Sequence, residues 1–251
     1  MTVFFIGAGP GAADLITVRG QRLLSRCPVC LYAGSIMPED LLALCPSDAK
    51  VIDTGPLTLE QIIAELADAH AAGMDVARLH SGDPSIYSAL AEQCRHLDAL
   101  GVDYQVVPGV PAFAAAAAAL GRELTVPGVA QTVTLTRVAT LSTAMPPGED
   151  LHTLSAPGAT LVLHLAAAQV DGLVPELIAG GYRAETPCAV VAFASWPQET
   201  VLKCTLGDLV ERMHAAEVTR TAVIIVGDVL AAEGFADSYL YSAGRRRGSR
   251  H

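Results

Sequence analysis

Residues 3–17, VFFIGAGPGAADLIT, set an apolar strand directly before a glycine-rich turn. Gly7, Gly9 and Ala12 fill the three small positions of the dinucleotide-binding fingerprint. That fingerprint also needs free backbone N–H groups to cradle a pyrophosphate, and an acid at the end of the second strand for the ribose. Pro10 has no N–H and a fixed φ, so it removes one donor from the turn. The second apolar run ends LYAGSIM (31–37), and no acid follows until Glu39. The glycines therefore predict a tight turn after the first strand, while the proline and the missing acid weaken a dinucleotide role.

From this strand outward, the N-terminal half alternates strands and helices. Apolar runs predict strands at Val3–Ile6, Val29–Ala33, Val51–Thr54, Val76–Ser81 and Tyr104–Val107. Helical spacing lies between them, at Ile16–Arg26, Glu39–Leu44, Leu59–Ala72 and Ile86–Leu100. In the third, Ile62, Ile63, Leu66 and Ala69 repeat behind Thr58, a good N-cap residue. Such alternation implies an α/β fold with a mainly parallel sheet covered by helices on both faces.

PGVPAFAAAAAALG (108–121) then reads as a turn running into an alanine-rich helix. A second α/β domain is expected from about residue 115. Its strands are predicted near Thr132–Thr136, Thr160–Leu165, Ala189–Phe193, Thr200–Cys204 and Ala222–Val226. Its helices are predicted near Val170–Ala179 and Leu206–His214. The polar stretch ATLSTAMPPGEDLHTLSAPG (139–158) reads as a long loop with one helical turn. The expected domains are thus 1–114 and 115–243, with 244–251 a disordered basic tail.

Hydrophobic residues make up 51% of the 251 positions and charged ones 17%, with a mean hydropathy of +0.41. This composition excludes a disordered chain and fits a sheet buried on both faces. The most apolar stretch, VVPGVPAFAAAAAALG (106–121), is broken by proline and glycine and falls short of the ~20 residues a membrane span needs. The N-terminus starts on a strand without a basic region, so no signal peptide and a cytoplasmic location are expected. A net charge of −10 argues against nucleic-acid binding, and the basic GRRRGSRH (244–251) reads as a solvated tail. Among six cysteines, Cys27 and Cys30 form a CxxC pair. It follows a helical segment and leads into a strand, so it reads as core rather than redox chemistry. No second CxxC or HxxxH completes a metal set, and no metal is expected.

Two further loops follow predicted strands at their carboxyl ends, where open α/β sheets bind ligands: ARLHSGDPSIYS (77–88) and VVPGVPA (106–112). Asp83 before Pro84 fits a tight turn entering a helix, which is a sufficient structural role. His80, Ser81 and Asp83 lie too close in sequence to form a hydrolase triad, and there is no GxSxG elbow. Three carboxyl-end loops of one sheet are expected to converge on a single crevice.

In this order and spacing, GAGPGAADLIT, SGDPSIYS and VVPGVPA resemble the signature loops of the tetrapyrrole (corrin and porphyrin) methyltransferases, over nearly the whole chain. LYAGSIMPEDLL (31–42), FASWPQE (193–199), TAVIIVGDVL (221–230) and SYLY (238–241) support the resemblance, and YAGS with ASWP discriminates most. It implies two α/β domains with a cofactor cleft between them, S-adenosylmethionine as methyl donor, S-adenosylhomocysteine as product, and a homodimer. Within the family it points to C11 of precorrin-4 as the acceptor, in cobalamin biosynthesis. It carries Pro10, Ser81, Gly82, Asp83, Ile86, Pro111, Ala112, Leu165 and Ala194 over as cofactor contacts, Pro10 also walling the substrate trough. It assigns no catalytic nucleophile and no metal.

Two stretches depart from the family pattern. Ala139, Thr140, Leu141 and Ser142 stand where relatives carry Gly-Arg-Thr-Pro, and Ala12 and Ala13 replace polar or proline residues. A polycarboxylate substrate on a net-negative protein needs a local cationic rim, because charges beyond a Debye length of ~8 Å are screened. Arg19, Arg78, Arg122 and Arg137 are the candidate substrate-binding cations. Three alternatives stay open: a methylase acting on cobalt-precorrin-4 or uroporphyrinogen III, a nicotinamide-dependent oxidoreductase, and a cofactor-binding regulatory module without turnover.

Overall fold

Each apolar run of the N-terminal half becomes a strand of one parallel sheet. In the computed structural model, which describes residues 1–139, 143–155 and 158–237, these are β1 (Val3–Gly7), β2 (Val29–Tyr32), β3 (Lys50–Asp53), β4 (Val76–His80) and β5 (Tyr104–Val107). The order is β3-β2-β4-β1-β5, with every neighbouring pair parallel. The connecting helices are α1 (Val18–Leu24), α2 (Glu39–Leu42), α3 (Leu59–Ala71) and α4 (Leu90–Leu100), and α5 (Ala112–Leu120) follows β5.

Alternation along the strands builds two apolar layers. Phe4, Ile6, Cys30, Ala77 and Leu79 pack with Leu23, Leu24 and Leu41 on one face. Val3, Phe5, Val29, Leu31 and Val76 pack with Ile62, Ile63, Leu66 and Leu97 on the other. Each fully buried aliphatic side chain contributes ~1.5–3 kcal/mol relative to exposure. Thr58 starts α3 with a capping box, exchanging hydrogen bonds with Gln61. The predicted helix over Ile86–Leu100 begins only at Leu90, because Tyr87 (φ 52°) and Ala89 (φ 55°) take left-handed conformations that a helix cannot continue through.

The remaining strands form a mixed sheet: β6 (Val133–Arg137), β7 (Thr160–His164), β8 (Pro187–Ala192), β9 (Thr200–Thr205) and β10 (Ala222–Val226), in the order β6-β7-β10-β8-β9. Only β6 and β7 pair in parallel. The helices here are α6 (Leu151–Leu154), α7 (Val170–Ala179) and α8 (Leu209–Ala215); α6 is the single turn expected in the long loop, capped by Asp150. The chain divides into two compact units: Met1–Ala115 with Phe193–Gln198, and Ala116–Ala192 with the described residues from Glu199 onward. Thr140–Ser142, SYLY (238–241) and the tail 244–251 lie outside the described residues. Among the described residues, no helix is long and apolar enough to cross a membrane.

The second apolar layer contains two polar side chains from β4. Arg78, 5% exposed, donates from Nε to Gln93 Oε1 at 3.0 Å and from Nη1 to the Leu79 carbonyl at 3.3 Å. Burial lowers its pKa to about 10, which still leaves it charged at neutral pH. His80, 5% exposed, lies against Phe5 with ring centroids 5.7 Å apart. Burial first, then the Arg78 charge, lowers its pKa from 6.5 to about 3, against a contact with the Ser88 backbone that raises it. The unfolded chain therefore binds this proton near pH 6.5 and the folded chain only near pH 3. Between those values the unfolded state holds more protons. The stabilising contribution of neutral His80 is complete above pH 6.5 and is lost as pH falls towards 3. Urea unfolding between pH 4 and 7 should show stability dropping by up to ~1.4 kcal/mol per pH unit from this group. His80→Asn should flatten that part of the slope.

Candidate functional site

The carboxyl ends of β4, β1 and β5 are neighbours, so the loops that follow them must lie side by side. Their backbones touch. A Cβ on Gly7 would sit 2.5 Å from the Gly109 Cα and 2.8 Å from the Gly82 carbonyl oxygen, and one on Gly109 would overlap that same oxygen. Only glycine permits this approach. Gly82 takes φ +67°, and a Cβ there would lie 3.6 Å from Pro111 Cα and 3.7 Å from Ala112 N. The Gly9 N–H donates to the Gly82 carbonyl at 3.2 Å, and the Gly82 N–H donates back to Gly9 at 2.8 Å. Beyond the parallel β1–β4 ladder, the two loops are thus joined by an isolated antiparallel bridge.

Asp83 ties the second loop to the third. One carboxylate oxygen accepts the Gly109 N–H at 2.7 Å, and the other accepts the Ser85 N–H at 2.8 Å and the Ser85 hydroxyl. Burial pushes the carboxyl upward, but the Ser85 hydroxyl and the two N–H groups outweigh it and hold Asp83 below the ordinary carboxylate range. Across loops 8–12, 81–89 and 108–112 this is the sole formal charge. These loops bring together Pro10, Ser81, Gly82, Asp83, Ile86, Pro111 and Ala112.

A fourth segment joins them from far along the chain. Phe193–Gln198 packs within the first unit, which also brings Ala194 (6% exposed) there. Trp196 Nε1 donates to the Pro10 carbonyl at 3.0 Å, and Ser195 Oγ accepts the Ala12 N–H at 3.0 Å. Gly11 lies under the indole, where a Cβ would overlap Trp196 Cδ1. These contacts bear directly on the dinucleotide fingerprint of the glycine turn. The Ala8, Gly9 and Ala12 N–H groups are committed within the protein, Pro10 has none, and α1 starts only at Val18 behind its own cap, Thr17. The turn thus lacks the run of free amides leading straight into an α-helix that cradles a pyrophosphate in a dinucleotide fold.

The same first unit holds a cavity of about 830 Å³, lined by Gly11–Asp14, Pro38–Asp40 and Ser195–Gln198. Its charged lining residues are Asp14, Glu39 and Asp40, all acidic.

The remaining predicted residues fall elsewhere. Leu165 follows β7 in the second unit, 59% exposed and left-handed at φ 54°. Arg19 is exposed on α1. Arg122 donates to the Ala232 carbonyl at 3.1 Å. Arg137 donates to the carbonyls of Val138, Thr143 and Ala144 at 3.0–3.3 Å, clipping its own loop. Arg78 is a correction: it alternates into the core of the first sheet beneath α4, where a substrate's carboxylates cannot reach it. Cys27 and Cys30 are both fully buried. Burial first, then the Asp75 charge, drives Cys27 up to about 12, and contact with Cys45 followed by burial drives Cys30 up. Neither is a reactive thiolate at neutral pH. Among the described residues, no group of three or more His, Cys, Asp or Glu is placed to hold a metal ion.

Sequence reasoning missed the Trp196–Pro10 and Ser195–Ala12 contacts. FASWPQE and GAGPGAAD were each singled out, but nothing in the sequence alone couples segments so far apart.

The family model of Tetrapyrrole (Corrin/Porphyrin) Methylases matches residues 2–210. The chain is 78% identical over 245 residues, 98% of each protein, to the precorrin-4 C(11)-methyltransferase of Mycobacterium tuberculosis. It is 66% identical to the Rhodococcus erythropolis protein of the same name, over 98% of this chain and 99% of that one. Its fold superposes on a crystal structure of a cobalt-precorrin-4 methyltransferase with TM-score 0.88 at 38% identity, covering 91% of this chain and 95% of that one. It also superposes on the Thermus thermophilus uroporphyrin-III C-methyltransferase complexed with S-adenosylhomocysteine, with TM-score 0.79 at 30% identity, covering 92% and 93%.

The three-glycine contact predicts a strong effect from a single methyl group. Gly109→Ala should destabilise the protein by about 1–3 kcal/mol, as overpacking against backbone does. For a chain this long that lowers Tm by roughly 2–12 °C, measurable by scanning calorimetry.

Proposed function

The chain belongs to the tetrapyrrole (corrin/porphyrin) methylase family, and on that premise we propose that it transfers a methyl group from S-adenosylmethionine to C11 of precorrin-4 in cobalamin biosynthesis. The observation that carries this reading on geometry is the junction of three backbone-packed loops bearing one carboxylate and no cation. A phosphate-rich dinucleotide finds neither donors nor countercharge there. A ligand held by backbone, shape and apolar contact, and carrying positive charge, suits it.

Ser81, Gly82, Asp83, Ile86, Pro111, Ala112 and Ala194 would hold the methyl donor, with Pro10 as a neighbouring wall. When bound, the donor's sulfonium supplies an already activated methyl group, so no metal is called for. What remains for the protein is alignment, worth roughly 7–11 kcal/mol in a near-attack pose. The glycine junction supplies it by fixing the loop backbones. Asp83 acts by holding the second loop on the third rather than by moving a proton. His80, directly before Ser81, stays neutral and buried and takes no part in proton transfer. Arg19, Arg122 and Arg137 are the candidate cations for the substrate's carboxylates. We further place the protein in the cytoplasm as a homodimer, without nucleic-acid or membrane partners, which its charge of −10 and the family resemblance support.

Incubation with precorrin-4 and S-adenosylmethionine, followed by mass and NMR analysis, should locate one new methyl group at C11. A methyl at another carbon would overturn the acceptor while leaving the family intact. Calorimetry should show S-adenosylhomocysteine binding and no NAD binding; the reverse would overturn the reading.

A further inference from the structure

Trp196 is the chain's single tryptophan, and it sits in the segment that clamps the glycine-proline loop. Resting on the methyl-donor reading above, we propose that Trp196 is a positioning residue: it holds the Pro10–Ala12 loop in the conformation that receives the donor, and so sets donor affinity.

The geometry runs residue by residue. At this loop's tip, the Pro10 carbonyl accepts from Trp196 Nε1 and the Ala12 N–H donates to Ser195 Oγ. Both come from the same two residues, more than 180 positions away. The indole lies on Gly11, the residue between them, and leaves no space for a Cβ. Pro10 follows Gly9, which exchanges two hydrogen bonds with Gly82. Gly82 in turn abuts Pro111 and Ala112. A shift of the indole is therefore passed through Pro10 and Gly9 to loops after β4 and β5. Trp196 also lines the 830 Å³ cavity, and its ring is half-buried, so its emission responds to changes there.

The segment itself is held under strain. Phe193 (φ 51°) and Ser195 (φ 67°) are both left-handed, a conformation that persists in non-glycine residues only when surrounding contacts enforce it. The Trp196 N–H closes a turn onto the Phe193 carbonyl at 2.9 Å.

Two variants test the role. Trp196→Phe keeps most of the ring and removes the N–H donor. Gly11→Ala leaves Trp196 in place but forces the ring aside; Gly11 is not among the left-handed glycines, so the added methyl acts by overlap and not by backbone strain. In Trp196→Phe, the Kd for S-adenosylhomocysteine by calorimetry and the KM for S-adenosylmethionine should both rise roughly 2- to 12-fold, the range one neutral hydrogen bond supplies. The kcat at saturating donor and precorrin-4 should stay within about twofold of wild type. Gly11→Ala should show the same split, with a red-shifted emission before any ligand is added. Should Trp196→Phe not fold, Gly11→Ala decides.

A folded variant that binds S-adenosylhomocysteine as wild type does would overturn the role. So would a lowered kcat with an unchanged KM for the donor, or kinetic losses that merely track a lowered Tm. If wild type itself does not bind S-adenosylhomocysteine, the donor reading falls and takes this proposal with it. Wild-type binding with unaffected variants removes Trp196 alone.

Discussion

Three backbones in contact, at Gly7, Gly82 and Gly109, govern the carboxyl end of the first sheet. Parallel neighbours in a sheet run about 4.8 Å apart, and loops leaving three adjacent strands normally splay to accommodate side chains. Here they do not splay. With no Cβ at these positions, an isolated antiparallel Gly9–Gly82 bridge ties the loops beyond β1 and β4, and Asp83 reaches across to the Gly109 amide. The surface that results is made of peptide groups and small apolar side chains. Its one carboxylate has both oxygens engaged inside the protein. Such a surface recognises a ligand by shape and dipoles, and has no excess positive charge to offer a phosphate.

The loops also hold conformations that their residues disfavour, and the polar core beneath them explains how. Tyr87 and Ala89 are left-handed, at an expense of order 1–3 kcal/mol each unless neighbours over-determine them. Gln93 donates from Nε2 to the Ala89 carbonyl at 3.0 Å while its Oε1 accepts from Arg78. His80 contacts the Ser88 backbone. A buried guanidinium with an amide rather than a carboxylate as its side-chain partner is a weak way to stabilise a core. As the anchor of Gln93, though, Arg78 supports the strained segment after the second loop. The physical reason it fails as a surface cation is the reason it is useful here.

Most of the architecture could be read from hydrophobic period. All ten strands among the described residues lie within two residues of their predicted ends, because most are apolar runs bounded by turn residues. The meeting of three loops followed from chain order and parallel pairing. Where reading failed, tertiary contacts had overridden local pattern. The helical period of Ile86–Leu100 is real, yet its first turn is replaced by left-handed residues tied down from β4 and α4. Charge alone nominates Arg78 as a rim cation; in the fold Gln93, fifteen positions on, makes its burial tolerable. The Trp196 contact had no local signal at all. It joins a segment between β8 and β9 to the first turn of the chain.

Pro10 is where the possible chemistries of the opening glycines part. In a dinucleotide fold the turn after the first strand keeps its amides for a pyrophosphate and feeds straight into a helix. In this turn the proline deletes one amide, Ser195 takes another, and the Pro10 carbonyl is bound by Trp196. The helix starts a further turn of chain away, behind Thr17. What the turn retains is rigidity rather than donors. The cavity beside it is rimmed by Asp14, Glu39 and Asp40, so any carboxylates of the substrate need their cationic partners elsewhere. A rigid, donor-poor and locally acidic wall has little to give phosphate chemistry. It is suited to a reaction whose leaving group is already activated and positively charged, where geometry is the main thing a protein must supply.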